Sequence, residues 1–182
     1  FGRIDMLVHA VAFAETADLN DLFLNTSRAG FHTAMDISVY SLVSLARAVR
    51  PLMSNGGAIV TLSYYGAEKV IPRYNVMGVA KAALEASARY LAAELGPEGI
   101  RVNVISAGPV KTLSSGAFLG FRDMLRYVGE ASPLRRNITR EEVGKTALYL
   151  LSDLSSGVTG ETLHVDGGYN ILGVTESKEA GT

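Results

Sequence analysis

The chain has 182 residues, 48% of them hydrophobic, a formal net charge of -1 and no cysteine. That length suits one domain around one sizeable core, and the near-neutral charge gives no ground for a nucleic acid or a membrane surface as partner. The lack of thiols excludes disulfides and thiolate chemistry and fits a reducing cytoplasm, and no apolar run approaches the ~20 residues needed to span a bilayer.

Gly2-Arg3-Ile4-Asp5 leads directly into apolar Met6-Leu7-Val8, as if the sequence began in mid-domain. Residues 5–14 form a short continuous apolar run, which predicts a buried parallel strand followed by a loop. His9, near the end of that strand, reads as a structural histidine rather than a base. Residues 15–29 are polar and mixed, and predict a loop with a short helix. From Gly30 to Met53 apolar residues recur at helical spacing (Phe31, Ala34, Ile37, Tyr40, Leu42, Leu45), so one long helix is expected. Asn55-Gly56-Gly57 ends it with residues that tolerate positive φ. A second buried strand follows over Ala58 to Ser63.

The stretch from Ser63 to Lys81 carries Tyr64, Tyr74 and Lys81, and the spacing predicts a helix from Tyr74 to Leu95. Its small residues, Gly78, Ala80, Ala82, Ala83, Ala86 and Ala88, suit either close core packing or an oligomer seam. Gly96-Pro97-Glu98-Gly99 stops the helix. A third strand covers Ile100 to Ala107, and a mobile loop is expected over 110–120. A short helix is expected over Phe121 to Ala131, and Thr139-Arg140-Glu141-Glu142 has the form of a capping box opening a helix to about Asp153. A fourth strand covers Thr162 to Val165, and the polar tail from Thr175 is expected to fray.

Strands alternating with helices give an α/β fold with a parallel sheet, and ligands of such sheets collect at the carboxyl ends of the strands. Those ends here are Ala12, Ser63, Ala107 and Asp166. Tyr74 and Lys81, seven apart on a helix, would share a face ~10 Å apart along the axis. They are either two ordinary amphipathic side chains or two grips on one extended ligand. A tyrosine hydroxyl can donate to an oxygen that becomes negative. A nearby ammonium would lower the phenol's proton affinity and can hold ribose hydroxyls. With Tyr64 at a strand end, these parts suit hydride addition to a carbonyl-conjugated system.

The blocks Ser63–Glu68, Ile71–Lys81, Gly96–Asn103, Ser106–Leu113 and Gly160–Tyr169 resemble the bacterial enoyl-acyl-carrier-protein reductases, a divergent branch of the short-chain dehydrogenase/reductase superfamily. The resemblance covers essentially the whole chain. Its first blocks are specific, and its last two are shared more widely in the superfamily. Ordinary members resembling this chain place a tyrosine four residues before the lysine, where Met77 stands, and a serine where Tyr64 stands. The resemblance therefore implies a Rossmann-like parallel sheet with flanking helices. It also implies reduction of trans-2-enoyl thioesters on acyl-carrier protein in fatty-acid synthesis, with NADH, or NADPH, as cofactor and a homotetramer formed through the long helices.

Carried over by position, the resemblance makes Tyr64, Tyr74 and Lys81 catalytic. Tyr74 would bond the thioester oxygen, Lys81 would hold the nicotinamide ribose, and Tyr64 would lie beside the substrate. Val11, Ser63, Pro109, Val110, Lys111, Thr112, Leu113 and Ser114 match cofactor contacts. Ala14 matches a substrate contact. Met77, Phe121 and Met124 match walls of the acyl pocket, and read equally as core residues. Tyr65 reads as a packing residue, one position from Tyr64.

Matched to the family, residues 1–182 form a single domain that corresponds to the C-terminal two-thirds of the dinucleotide-binding fold. The first three strands and their Gly-rich pyrophosphate turn have no counterpart, so a fragment of a longer protein is expected rather than a truncated one. Arg122, Arg126, Arg135 and Arg136 suit an acidic carrier or a solvated face. Two rivals stay open: a ketone-reducing short-chain dehydrogenase, and a non-catalytic assembly or binding module.

Overall fold

Four parallel strands run in the order β1-β2-β3-β4 in the computed structural model, which describes residues 2–111 and 120–175. They are β1 Met6–His9, β2 Gly57–Ser63, β3 Ile100–Ala107 and β4 Thr162–Val165. The two central strands are rich in Ile and Val, which pack well on a pleated surface buried on both sides. The register sets Val8 beside Val60, Ser63 beside Ser106, and Ser106 beside His164. All four carboxyl ends therefore open on one edge.

Helices cover the two faces unequally. On one face α3 (Ser41–Val49) and α4 (Asn75–Leu95) pack Leu42, Val76 and Leu84 against Ile59, Val102 and Val104. Ala80 and Ala88 are fully buried and pack closely against the sheet, whereas Gly78, Ala83 and Ala86 are half-buried and Ala82 is exposed. On the other face α6 (Arg140–Leu151) packs Leu150 against Val60 and Ile105. Between these, α1 (Thr16–Asn20), α2 (Arg28–Met35) and α5 (Phe121–Ala131) complete the described helices of more than one turn, apart from one wide turn.

Several sequence expectations need correction. The first strand is not buried on both faces: Met6 and Val8 are 51% and 50% exposed, while His9 is buried. Met6 and Val8 lie on the face that α6 covers further along the sheet, beyond the reach of Leu150. The long helix over 30–53 starts earlier, because Ser27 Oγ accepts from the Gly30 amide and caps it at Arg28. It is also interrupted by a π-turn at Asp36–Tyr40. Within that turn Ser38 is buried, and its hydroxyl both accepts from the Phe13 amide and donates to the Phe13 carbonyl, each at 3.0 Å. Helix α6 has the expected capping box but ends at Leu151 before a short 3-10 turn. The expected mobile loop lies mostly outside the described residues, as does the tail beyond Thr175.

Among the described residues no helix is long and apolar enough to cross a membrane, and no group of three or more His, Asp or Glu could hold a metal ion. One buried polar side chain holds the far side of the sheet together. Asn103 of β3 donates from Nδ2 to the Val158 carbonyl (2.9 Å) and accepts at Oδ1 from the Glu161 amide (3.1 Å), fixing the approach to β4. Asn103→Ala leaves the Glu161 amide unpaired and the Val158 carbonyl with only the longer bond from Arg101 Nη1 (3.4 Å), so it should lower the unfolding free energy by about 1–3 kcal/mol, read as a lower midpoint in urea denaturation.

Candidate active site

Strand β2 delivers Tyr64 in extended conformation (φ -147°, ψ 151°), and the chain then makes a 3-10 turn at Tyr65–Ala67 before reaching Tyr74. The Tyr64 and Tyr74 rings meet edge to face, 5.1 Å apart at 84°. The Tyr64 hydroxyl donates to the Met124 sulfur of α5 at 3.2 Å. Two residues ten apart in sequence and a third sixty further on are thus brought together at the end of β2.

Tyr74 stands just ahead of α4, as its cap, and not within the helix as the spacing predicts. Its neighbours Arg73 (φ 64°) and Asn75 (φ 39°) both occupy the left-handed region. Asn tolerates that region because its short amide can bond locally. Here the Asn75 Nδ2 donates to the carbonyls of Leu19 (3.0 Å) and Asp21 (2.7 Å). The two-turn geometry assumed between Tyr74 and Lys81 therefore does not apply.

Two glycines seat the Tyr74 ring. A Cβ on Gly66 would lie 2.4 Å from Tyr74 Cδ1, and one on Gly78 would lie 2.8 Å from the Gly66 carbonyl oxygen. The turn after β2 passes over α4 with backbone against backbone, which only glycine permits.

Lys81 is buried, and its Nζ donates to the Leu62 carbonyl at 2.8 Å. Burial pulls its pKa down to about 8, opposed by the charge of Glu85. Burial also pushes the Tyr64 and Tyr74 phenols well above their ordinary values. The expectation that the ammonium would lower the phenol's proton affinity is thus corrected: desolvation dominates, and both phenols remain proton-bearing donors. His9 is structural as expected, with Nδ1 bonded to Thr61 Oγ1 and Nε2 to Ser41 Oγ, each at 2.8 Å. Tyr65 packs as expected, edge to face with His164 and Tyr169, and its hydroxyl donates to the Asn170 carbonyl.

The remaining predicted positions divide. Ala14, Met77 and Pro109 are buried, and Met77 lies in the main core; Phe121, Met124 and Val110 are half-buried; Val11 and Lys111 are exposed. Ser63 is buried and its hydroxyl donates to the Glu85 carboxylate, so the side chain faces α4. Thr112, Leu113 and Ser114 lie outside the described residues. A groove of about 430 Å³ runs between the 66–71 loop and α4; Tyr74 lines it, but Tyr64, Lys81 and Met124 do not. Sequence reasoning missed Gly66, Asn75 and Glu85. An acidic residue four after Lys81, on a helix of alanines, was the available signal for Glu85.

Gly66→Ala should destabilise the protein by about 1–3 kcal/mol in urea unfolding and alter the near-ultraviolet tyrosine dichroism, because the Tyr74 ring must move. Gly96 has helical φ and open space around it, so Gly96→Ala should be neutral or slightly stabilising in the same assay.

A family model described as enoyl-(acyl carrier protein) reductase matches residues 1–170. The enoyl-[acyl-carrier-protein] reductase [NADH] FabI of Nostoc sp. is 58% identical over 174 residues, covering 96% of this chain and 67% of that protein. A crystal structure of the Anaplasma phagocytophilum enoyl-(acyl-carrier-protein) reductase in complex with NAD superposes with TM-score 0.93 at 55% identity, over 97% of this chain and 68% of that one. The Bacillus cereus enoyl-acyl carrier protein reductase, with NADP+ and indole naphthyridinone, gives TM-score 0.93 at 54% identity, over 95% and 67%. This chain therefore spans about two thirds of the length of these relatives. With a matched model over nearly its whole length and relatives of this identity, the chain belongs to the enoyl-(acyl carrier protein) reductase family.

Proposed function

We propose that this chain carries the substrate-reducing part of an enoyl thioester reductase of fatty-acid synthesis, acting on trans-2-enoyl groups borne by acyl-carrier protein. The observation that carries this reading is the edge-to-face pair of Tyr64 and Tyr74 at the end of β2, both phenols with proton affinity raised further by burial. The ketone-reducing alternative would need a tyrosine at position 77, where Met77 is packed in the core.

The residues present fit a nicotinamide dinucleotide. An ammonium has three donors, and Lys81 engages the Leu62 carbonyl with one, which leaves capacity for ribose hydroxyls. The exposed Ala10-Val11-Ala12 segment at the end of β1 has no polar side chain and suits approach by backbone. When bound, NADH supplies the hydride that reduces the β-carbon. NADH is favoured by the name of the Nostoc relative, and NADPH remains the alternative because the Bacillus cereus structure contains NADP+.

Tyr74 donates a hydrogen bond to the thioester oxygen and strengthens it as enolate charge develops there. A phenol of raised proton affinity holds its proton while it does so. Tyr64 rests its hydroxyl on a thioether, a weak acceptor, and can exchange it for a substrate atom at small cost. The enolate then takes a proton from solvent water at the α-carbon, releasing hydroxide to the medium, and gives the saturated thioester.

The wider assignments are part of the same proposal. Residues 1–182 act as one domain, the protein works in the cytoplasm, and copies associate as a tetramer through the long helices, where Val79 and Tyr90 of α4 are exposed. The arginines give the acidic carrier weaker support than the family does, because Arg126 and Arg136 are paired with Asp123 and Glu142.

In the intact protein, Tyr74→Phe should slow 2-enoyl thioester reduction by about 100-fold with cofactor affinity nearly unchanged; an unchanged rate would remove Tyr74 from the mechanism. Lys81→Ala should weaken NADH binding by about tenfold or more in a fluorescence titration, and a titration showing no loss would contradict the ribose role.

A further inference from the structure

Glu85 is a buried acid that the mechanism above leaves unused. It lies on α4 one turn beyond Lys81, and each residue is only 7% exposed. Residues four apart on a helix share a face, with Cβ atoms ~6 Å apart. Burying a carboxylate in an alanine-rich helix is costly unless it is hydrogen-bonded and charge-balanced. The hydrogen bond comes from Ser63 of β2, whose hydroxyl donates to Glu85 Oε1.

Among the described residues Lys81 and Glu85 are not joined by a direct ion pair, and the influence runs from the Glu85 charge to Lys81. Glu85 is faced by Ser63 from β2, Glu68 from the loop after β2, His164 from β4, and Arg89 from its own helix. His164 and Glu68 are bonded to each other at 2.8 Å. Lys81 is faced by the Leu62 carbonyl from β2, by His9 from β1, and by Glu85.

We propose that Glu85 is a positioning residue for Lys81: held by Ser63 one turn along α4, its carboxylate keeps the lysine charged at the strand-end edge where a cofactor ribose would lie. This rests on the ribose-binding reading of Lys81. It gives Ser63 an indirect part in cofactor binding. The Ser63 hydrogen bond favours the ionised form of Glu85 against the burial that raises its pKa. Ionised Glu85 in turn raises the pKa of Lys81 against the burial that lowers it to about 8.

The sign follows directly. A lysine whose pKa is depressed carries its charge below that pKa and loses it as pH rises through it. NADH affinity should therefore fall as pH rises through about 8. Glu85→Gln preserves the volume and an acceptor for Ser63 but removes the charge, so this fall should move about one pH unit toward acid.

The test is NADH affinity measured by fluorescence titration of the intact protein between about pH 6 and pH 9. With the pKa moved that far, Glu85→Gln should bind about fivefold more weakly than the parent at pH 8 and almost equally at pH 6. Glu85→Asp, which restores a carboxylate, should move the profile back toward the parent and serves as a second variant. Superimposable profiles for Glu85→Gln and the parent would overturn the proposal, and so would an equal loss at every pH, which marks a merely structural role. Lys81→Ala separates the two levels. If it weakens binding while Glu85→Gln leaves the profile in place, only the role of Glu85 falls. If Lys81→Ala binds NADH like the parent, the ribose reading falls and this proposal with it.

Discussion

The close passage of the turn after β2 over α4 is the constraint on which the rest of the site depends. Gly66 and Gly78 let the two backbones touch, and the same absence of a Cβ at Gly66 leaves room for the Tyr74 ring. From that contact the other positions follow. Tyr64 leaves the strand on one side of the turn, Tyr74 closes it on the other, and α4 then carries Lys81 under the end of β2. The tyrosines are thus oriented by backbone contact, which has few ways to relax. A site built on packed elements in this manner holds its geometry more tightly than one built on loops.

Beneath the tyrosines lies a polar layer with a different character. Ser63, Ser106 and His164 stand side by side across three strands, on the face that meets α4. Above this layer, burial raises the proton affinity of the phenols further. Within it, hydrogen bonds and opposed charges let Lys81 and Glu85 coexist in the interior. Burial disfavours charge in both layers, and in the lower one hydrogen bonds and opposite charge offset only part of it, with Lys81 still pulled down and Glu85 still pushed up.

Much of this was legible in the residues. The central strands announced themselves by short stretches rich in Ile and Val, α4 by its length and its glycine stop, and α6 by the Thr139–Glu142 box. What was not legible depended on tertiary coverage or on backbone torsion. The half-exposed face of β1 could not be foreseen, because an apolar run does not reveal how far a neighbouring helix extends. The cap position of Tyr74 follows from positive φ at Arg73 and Asn75, and arginine gives no local sign of that conformation. The phenol pKa was misjudged because adjacency of charge was weighed without the desolvation that outweighs it. The direction of the Ser63 hydroxyl was hidden for a simpler reason: its partner lies 22 residues away on another element.

The double attachment of Asn75 has a mechanical consequence. Its amide grips two carbonyls of the segment after β1, while its backbone is joined directly to Tyr74. Ser38 grips the start of that segment at Phe13. The segment from Phe13 to Asp21 and the phenol at Tyr74 are therefore parts of one linkage, tethered at both ends. A side chain far from any reacting atom, such as Leu19 or Asp21, can then shift the tyrosine simply by displacing the strap to which it is tied.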